Sequence, residues 1–208
     1  MPRSIDHEAR RKEIISATKD LIVEKGIGGL SFREIGRRLG GSSTKVTHYY
    51  PTQAELMNDL AARILDEWSE ETKAIEDQHP TQIGRLNAFL FEWALPITEK
   101  GLMEERLRIN LLSARNLGAE TSFLINGAEN RIRELFTRYL RGLVPPEDLE
   151  STVDLLRAAI NGIALSAVEH SDHWTPDRQI NVLRRVTYSL NSIANESFQD
   201  SPPFGETN

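Results

Sequence analysis

From His7 to about residue 196, apolar side chains recur at the three- and four-residue spacing of an amphipathic helix. Glycines, prolines and Ser/Thr-x-x-Glu pairs interrupt them where helices stop and start. No sustained period-two run of Val, Ile and Thr stands between Asn-Gly or Asp-Gly turns. An all-α chain is therefore expected. At 208 residues it can bury a real core without staples. The absence of cysteine removes disulfide frameworks, thiolate zinc sites and cysteine nucleophiles. No run approaches the ~18 uncharged apolar residues of a membrane span, and the opening MPRSIDHEARRKE holds no apolar signal-peptide core, so the expected location is the cytoplasm and no membrane partner is expected.

The first helix is expected over His7 to Lys25, with Ile14, Ala17 and Leu21 beside Ile15, Thr18 and Ile22 as its buried stripe and Gly26 as its C-terminal cap. Ser31-x-x-Glu34 opens a short second helix to Leu39, and Gly40-Gly41 forces a sharp turn. Ser42 or Ser43 caps a third, Thr44 to Tyr50, which Pro51 ends. Thr52-x-x-Glu55 then starts a long fourth helix. Six longer helices follow from Thr52 onward, counting that one, near 52–77, 81–99, 102–117, 119–141, 147–169 and 176–196.

Two short helices joined by a glycine turn behind a longer supporting helix are the layout of a helix-turn-helix module. In the third helix Val46, with Tyr49 or Tyr50, anchors inward, while Ser43, Thr44, Lys45, Thr47 and His48 face out. Short donors plus one cation suit close approach to phosphates and to base edges. The net charge of −6 conceals an asymmetry, because residues 1–50 hold 10 Lys and Arg against 6 Asp and Glu. A basic head on an acidic body fits a protein with one end on nucleic acid. Arg33, Arg37 and Arg38, with Arg10, Arg11 and Lys12, frame the third helix with positive charge.

Over roughly residues 10–60, from RRKEIISATKDLIVEKG through LSFREIGRRLGG and SSTKVTHYYPTQAELM, the sequence resembles the amino-terminal DNA-binding domain of the TetR family of bacterial transcriptional regulators. The resemblance implies that Ser42 to Tyr49 is the recognition helix with its leading turn, and that Thr44, Lys45, Thr47 and His48 are its foremost DNA contacts. The full expected DNA-binding set is Ser31, Arg33, Ser42, Ser43, Thr44, Lys45, Thr47, His48, Tyr49 and Gln53. Three positions depart from the family. Thr47 stands where tyrosine is common, Gln53 where lysine is common, and Gly36 where alanine is usual, the last at a helix-interior cost of about 1 kcal/mol.

The rest of the chain reads as a helical bundle, whose stripes include Leu86, Phe89, Leu90, Trp93 and Ile97, then Met103, Leu107 and Leu111, then Phe123, Ala128, Ile132, Leu135 and Phe136. Polar Asn110, Asn126 and Glu129 lie on or beside them, and a mostly apolar cavity with a few polar groups is how a small-molecule site is built between helices. In the family such a cavity binds the inducer, which implies Phe89, Trp93, Met103, Leu107, Asn110 and Asn126 as its lining. The last two helices carry more apolar surface than one bundle face requires. The resemblance implies a two-fold four-helix dimer through Leu156, Ile160, Ile163, Ala167, Leu183, Val186 and Leu190. The stretch LLRAAINGIALSAVEHSDHWTPDRQINVLRR is also similar to the carboxyl-terminal region of the choline-responsive BetI branch, although only in interface and scaffold residues.

Glu169, His170, Asp172 and His173 straddle a helix end without the i, i+4 spacing that places two ligands on one face, so no metal is expected. The carboxylates of 66–77 read as the exposed face of the fourth helix, and no nucleophile–base set presents itself. The expected organisation is a DNA-binding domain over 1–51 and a ligand-binding and dimerisation domain over 52–208. The expected function is a homodimeric repressor, without cofactor or enzyme activity, released from a palindromic double-stranded operator by a small-molecule effector. The family's pendulum motion of the fourth helix supplies the coupling. The alternative is a helical small-molecule binding protein with a degenerate DNA-binding motif, a reading favoured by Thr47 and Gln53.

Overall fold

A computed structural model describes residues 7–113 and 119–195, with side chains at 7–113 and 125–189. Helix α1 (His7–Lys25) leads through a 3-10 turn (Ile27–Gly29) to α2 (Phe32–Arg38) and α3 (Ser43–Thr47). Then come α4 (Gln53–Gln78), α5 (Gln82–Ala88), α6 (Glu99–Ser113), α7 (Ala119–Leu140), α8 (Leu149–Glu169) and α9 (Pro176–Asn195). Among the described residues there is no β-strand.

The caps behave as their side chains dictate. Ser31 and Thr52 each accept a hydrogen bond from the amide three residues on, at 3.2 Å, so both capping motifs fix a helix start. The third helix is shorter than expected. Proline disfavours a helical conformation in the residue before it, so with Pro51 following, the chain leaves the helix after Thr47 and Tyr50 turns inward. Tyr50 is 1% exposed, its hydroxyl bonds Asp59, and the Arg11 guanidinium lies 4.9 Å above its ring. Burial, then Asp59, pushes its phenol up to about 12. Val46 and Tyr50 are thus the inward anchors, with Tyr49 only half-buried.

The expected 81–99 helix also divides. It passes from α5 into a π-helical turn, Phe89–Trp93, closed by the Ala94 amide on the Phe89 carbonyl at 2.8 Å. Pro96 follows, and α6 begins early, at Glu99, with the Thr98 hydroxyl accepting from the Gly101 amide at 3.0 Å. The π turn stacks Phe89 on Trp93 at 5.1 Å and sets Phe89 edge-on to Phe136 at 4.9 Å.

Two apolar clusters result. The head cluster joins Ile14, Leu21, Ile22, Ile35, Val46, Leu56 and Leu60, and it takes in Leu107 and Leu111 from α6. The body cluster joins Phe89, Leu90, Leu135, Phe136, Leu156, Ile160, Ile163 and Leu183. The segment Pro146–Glu169 is long and apolar enough by composition to cross a membrane, but its apolar residues divide between this core and one exposed stripe.

Candidate nucleic-acid interface and ligand cavity

The mount of α3 begins with a missing side chain. A Cβ on Gly36 would lie 2.6 Å from both the carbonyl carbon and oxygen of Ser42 and 2.9 Å from the Ser43 nitrogen, so at this spacing a side chain on residue 36 would force the start of α3 to shift away from α2. The Gly41 amide donates to the Gly36 carbonyl at 2.8 Å, and Gly40 takes the left-handed conformation, φ 65°, that turns the chain. Seated this way, α3 buries Val46 completely and leaves Ser42, Ser43, Thr44, Lys45, Thr47 and His48 exposed together. Ser42 occupies the N-cap position without a side-chain cap bond, while the Thr47 hydroxyl donates to the Thr44 carbonyl at 3.2 Å. The half-buried Tyr49 ring lies 5.1 Å from His48 and 5.7 Å from His7. Gln53 is the exposed first residue of α4. Ser31 serves as the α2 cap, with Arg33 exposed two residues on.

The positive frame is smaller than the sequence count implies, because the head neutralises much of its own charge. Arg38 is held by both oxygens of Glu24 at 2.7 Å. Arg37 and Lys25 share Glu34, whose carboxyl their hydrogen bonds, Lys25's first, hold down to about 2. Arg10 pairs with Glu13, and Arg11 lies 3.8 Å from Asp59. Lys12, Arg33 and Lys45 have no ion-pair partner among the described residues, and of these Arg33 and Lys45 stand on α2 and α3 themselves, ready for phosphates.

Behind the head lies a cavity of about 380 Å³ between α1, α4, α6, α7 and α8. Ala61, Ile64, Leu65 and Trp68 of α4 face Leu107, Leu111 and Leu112 of α6 and Ile125, Ala128 and Ile132 of α7. Lys19, Glu67, Glu104, Arg108, Asn126, Glu129, Arg157 and Asn161 supply the polar lining. Of the six residues expected at such a site, Leu107 and Asn126 line it. Phe89 and Trp93 belong to the aromatic cluster behind it, and Met103 is 40% exposed. Asn110 caps back onto the Arg106 carbonyl at 2.9 Å, and its side-chain oxygen lies beside Gly26 at the end of α1.

The residues missed from sequence are charged ones. Lys19 of α1 reaches Glu67 of α4 at 2.8 Å. The carboxylates of α4 are more than a solvated face. Glu71 accepts from the Trp93 indole at 2.8 Å and pairs with Lys100, and Glu76 accepts from the Tyr139 hydroxyl at 3.0 Å. Their signal was present as partners of opposite charge on other helices, which one sequence cannot pair.

At the far side, Leu156, Ile160, Ile163, Ala167 and Leu183 are all at most 3% exposed within the single protomer, and Val186 is half-buried. The Leu190 side chain lies outside the described residues. The outward face of α8 is instead Leu155, Ala158, Gly162 and Leu165, continued on α9 by Tyr188, which is 76% exposed. At the end of α8 and in the loop after it, Glu169, His170, Asp172 and His173 are exposed, and His173 faces Arg178 at 3.4 Å.

Comparison with known proteins gives a consistent result. Residues 14–60 match the family described as bacterial regulatory proteins, tetR family, and residues 90–190 match the family described as BetI-type transcriptional repressor, C-terminal. The chain is 28% identical over 208 residues to the HTH-type transcriptional regulator PksA of Bacillus subtilis (strain 168), covering 97% of this chain and 98% of that protein. A transcriptional regulator from Rhodococcus sp. Rha1 superposes with a TM-score of 0.77 at 20% identity, over 89% of this chain and 97% of that one. A Saccharomonospora viridis protein described as a transcriptional regulator, solved with choline, also gives 0.77, at 18% identity over 87% and 96% of the two chains.

Proposed function

This chain belongs to the TetR family of bacterial regulatory proteins, ligand-responsive DNA-binding repressors, and from that premise we propose how it works: as a cytoplasmic homodimer that leaves a palindromic operator when a small molecule enters the cavity. Residues 1–51 read DNA, and residues 52–208 hold the effector and the twin subunit. The observation that carries this reading is the seating of α3 on Gly36, which thrusts Ser42 to His48 outward while Val46 is wholly buried. A degenerate head would have no reason to keep that surface together and two cations beside it unpaired.

Two copies of α3 must enter successive major grooves, roughly 34 Å apart, on one face of the duplex. The exposed stripe Leu155, Ala158, Gly162 and Leu165 supports a seam along α8, because small residues between leucines let two helices approach closely. This moves the expected interface one residue round the helix from Leu156, Ile160 and Ile163, whose side chains are already spent inside the protomer. The cavity supports effector binding because its walls include the two helices, α4 and α6, that also contribute to the head cluster. An effector shifts the equilibrium only if it binds the DNA-free arrangement better.

The test is binding to fragmented genomic DNA at two salt concentrations, for the native protein and for Lys45→Ala. The native protein selects discrete sites and loses affinity steeply with salt. Lys45→Ala weakens binding at every site and flattens the log–log salt slope by about 0.9, with dimerisation intact. Unchanged binding in the variant would place the reading surface elsewhere.

A further inference from the structure

The cavity carries charge but none to spare, and that narrows the class of guest. Among the described residues of its wall, Lys19, Arg108 and Arg157 stand against Glu67, Glu104 and Glu129, so the signs balance. The pairing is also local. Lys19 binds both oxygens of Glu67, at 2.8 and 3.1 Å. Arg157 donates twice to Glu129, at 2.8 and 3.0 Å. Arg108 donates to both oxygens of Glu105, at 2.5 and 2.8 Å, and Glu104 pairs with Lys100 at 3.5 Å. A charged guest would have to break one of these pairs or give up its hydration without a counter-ion, and either is costly. Between the pairs the wall is apolar, formed by Leu65, Trp68, Leu107, Leu111, Ile125 and Ile132.

The wall also offers a neutral donor. Asn161 lines the cavity, and its side-chain oxygen accepts from Arg157 at 2.6 Å. A guanidinium can only donate, so it fixes which end of the amide faces it. The NH2 end is left as a donor with no hydrogen-bond partner among the described residues. Resting on the reading of this cavity as the effector site, we infer that the effector is an uncharged lipophilic molecule with a carbonyl acceptor, as in a ketone or ester. Its apolar body lies against Trp68 and the leucine wall, and its carbonyl oxygen accepts from the Asn161 amide. Such a guest leaves every ion pair intact and meets the one kind of polar group that can serve it without a change of charge. A cavity of about 380 Å³ has room for a drug-sized body of this kind.

The experiment is isothermal titration of the full-length protein at pH 7.5 with three probes of nearly one shape: 4-phenylbutan-2-one, 4-phenylbutan-2-amine and 3-phenylpropanoate, which are neutral, cationic and anionic. The ketone is expected to bind about tenfold more tightly than either charged probe. Asn161→Leu is expected to weaken the ketone about fivefold, the scale of one neutral hydrogen bond. Glu129→Gln strips Arg157 of its carboxylate and is expected to tighten 3-phenylpropanoate about tenfold. The ranking on the native protein needs no variant, so the test survives a variant that fails to fold. If the amine or the carboxylate binds the native protein as well as the ketone, the neutral assignment fails and the effector cavity stands. Unchanged ketone affinity in a folded Asn161→Leu overturns the carbonyl contact, and a carboxylate that gains nothing in a folded Glu129→Gln overturns pairing as the cause of exclusion. If none of the three binds at millimolar concentration, the effector cavity falls with the neutral assignment.

Discussion

At the scale of single residues, Gly36 shows two opposed effects of one methyl group. In an isolated helix, alanine in place of glycine would stabilise by about 1 kcal/mol. Here that methyl carbon would stand 2.6 Å from the backbone of Ser42, and backbone cannot rotate away as a side-chain tip would. Overpacking of this kind costs about 1–3 kcal/mol, so the clash prevails. Gly36→Ala is expected to lower the urea midpoint of the protein and to weaken operator binding together, because relief of the clash displaces the start of α3. A variant with unchanged operator affinity and a higher midpoint would mean that the turn yields freely. From the sequence Gly36 reads only as a helix-interior cost, since the atoms a side chain there would meet belong to the far side of a turn.

At the scale of elements, the sequence marked helices best where their ends carry local chemistry. Ser31, Thr52 and Pro51 act within four residues of themselves, and the head helices begin where they dictate. The π turn at Phe89–Trp93 carries no such marker, because it is set by how two rings fit against Phe136 and Trp68. Helix α8 shows a different limit. It is apolar on two faces, and periodicity reports both stripes without saying which one meets the protomer's own core. The two faces separate under substitution. Leu155→Glu with Leu165→Glu is expected to yield a folded monomer in sedimentation velocity, with helical circular dichroism retained. Leu156→Glu places a charge in the body cluster and is expected to lose the fold, at a cost of several kcal/mol. A double variant that remains dimeric would exclude α8 as the seam.

At the scale of the whole molecule, the cavity was legible only as a possibility, since its lining comes from five helices and its charged members recognise one another across tens of residues. Lys19 is the most informative of them, because it belongs to the DNA-binding head and lines the cavity. With 25% of its side chain and 47% of that of Glu67 exposed, the pair contributes at most about 1 kcal/mol to stability. Its removal should therefore be felt mainly in communication. Lys19→Met is expected to unfold within a few degrees of the native protein, yet to shrink the difference in effector affinity between free and operator-bound protein. Calorimetry with and without operator DNA measures that ratio directly. An unaltered ratio would remove Lys19 from the path.

Leu107 and Leu111 are wall to the cavity on one side and filling for the head on the other. Such a head is not a portable cassette. A chimera that splices residues 7–60 onto an unrelated sensor would leave the face of α1 that packs on α6 exposed to water. Transplants of this reading unit are therefore expected to become soluble only when the donor's α6 travels with it.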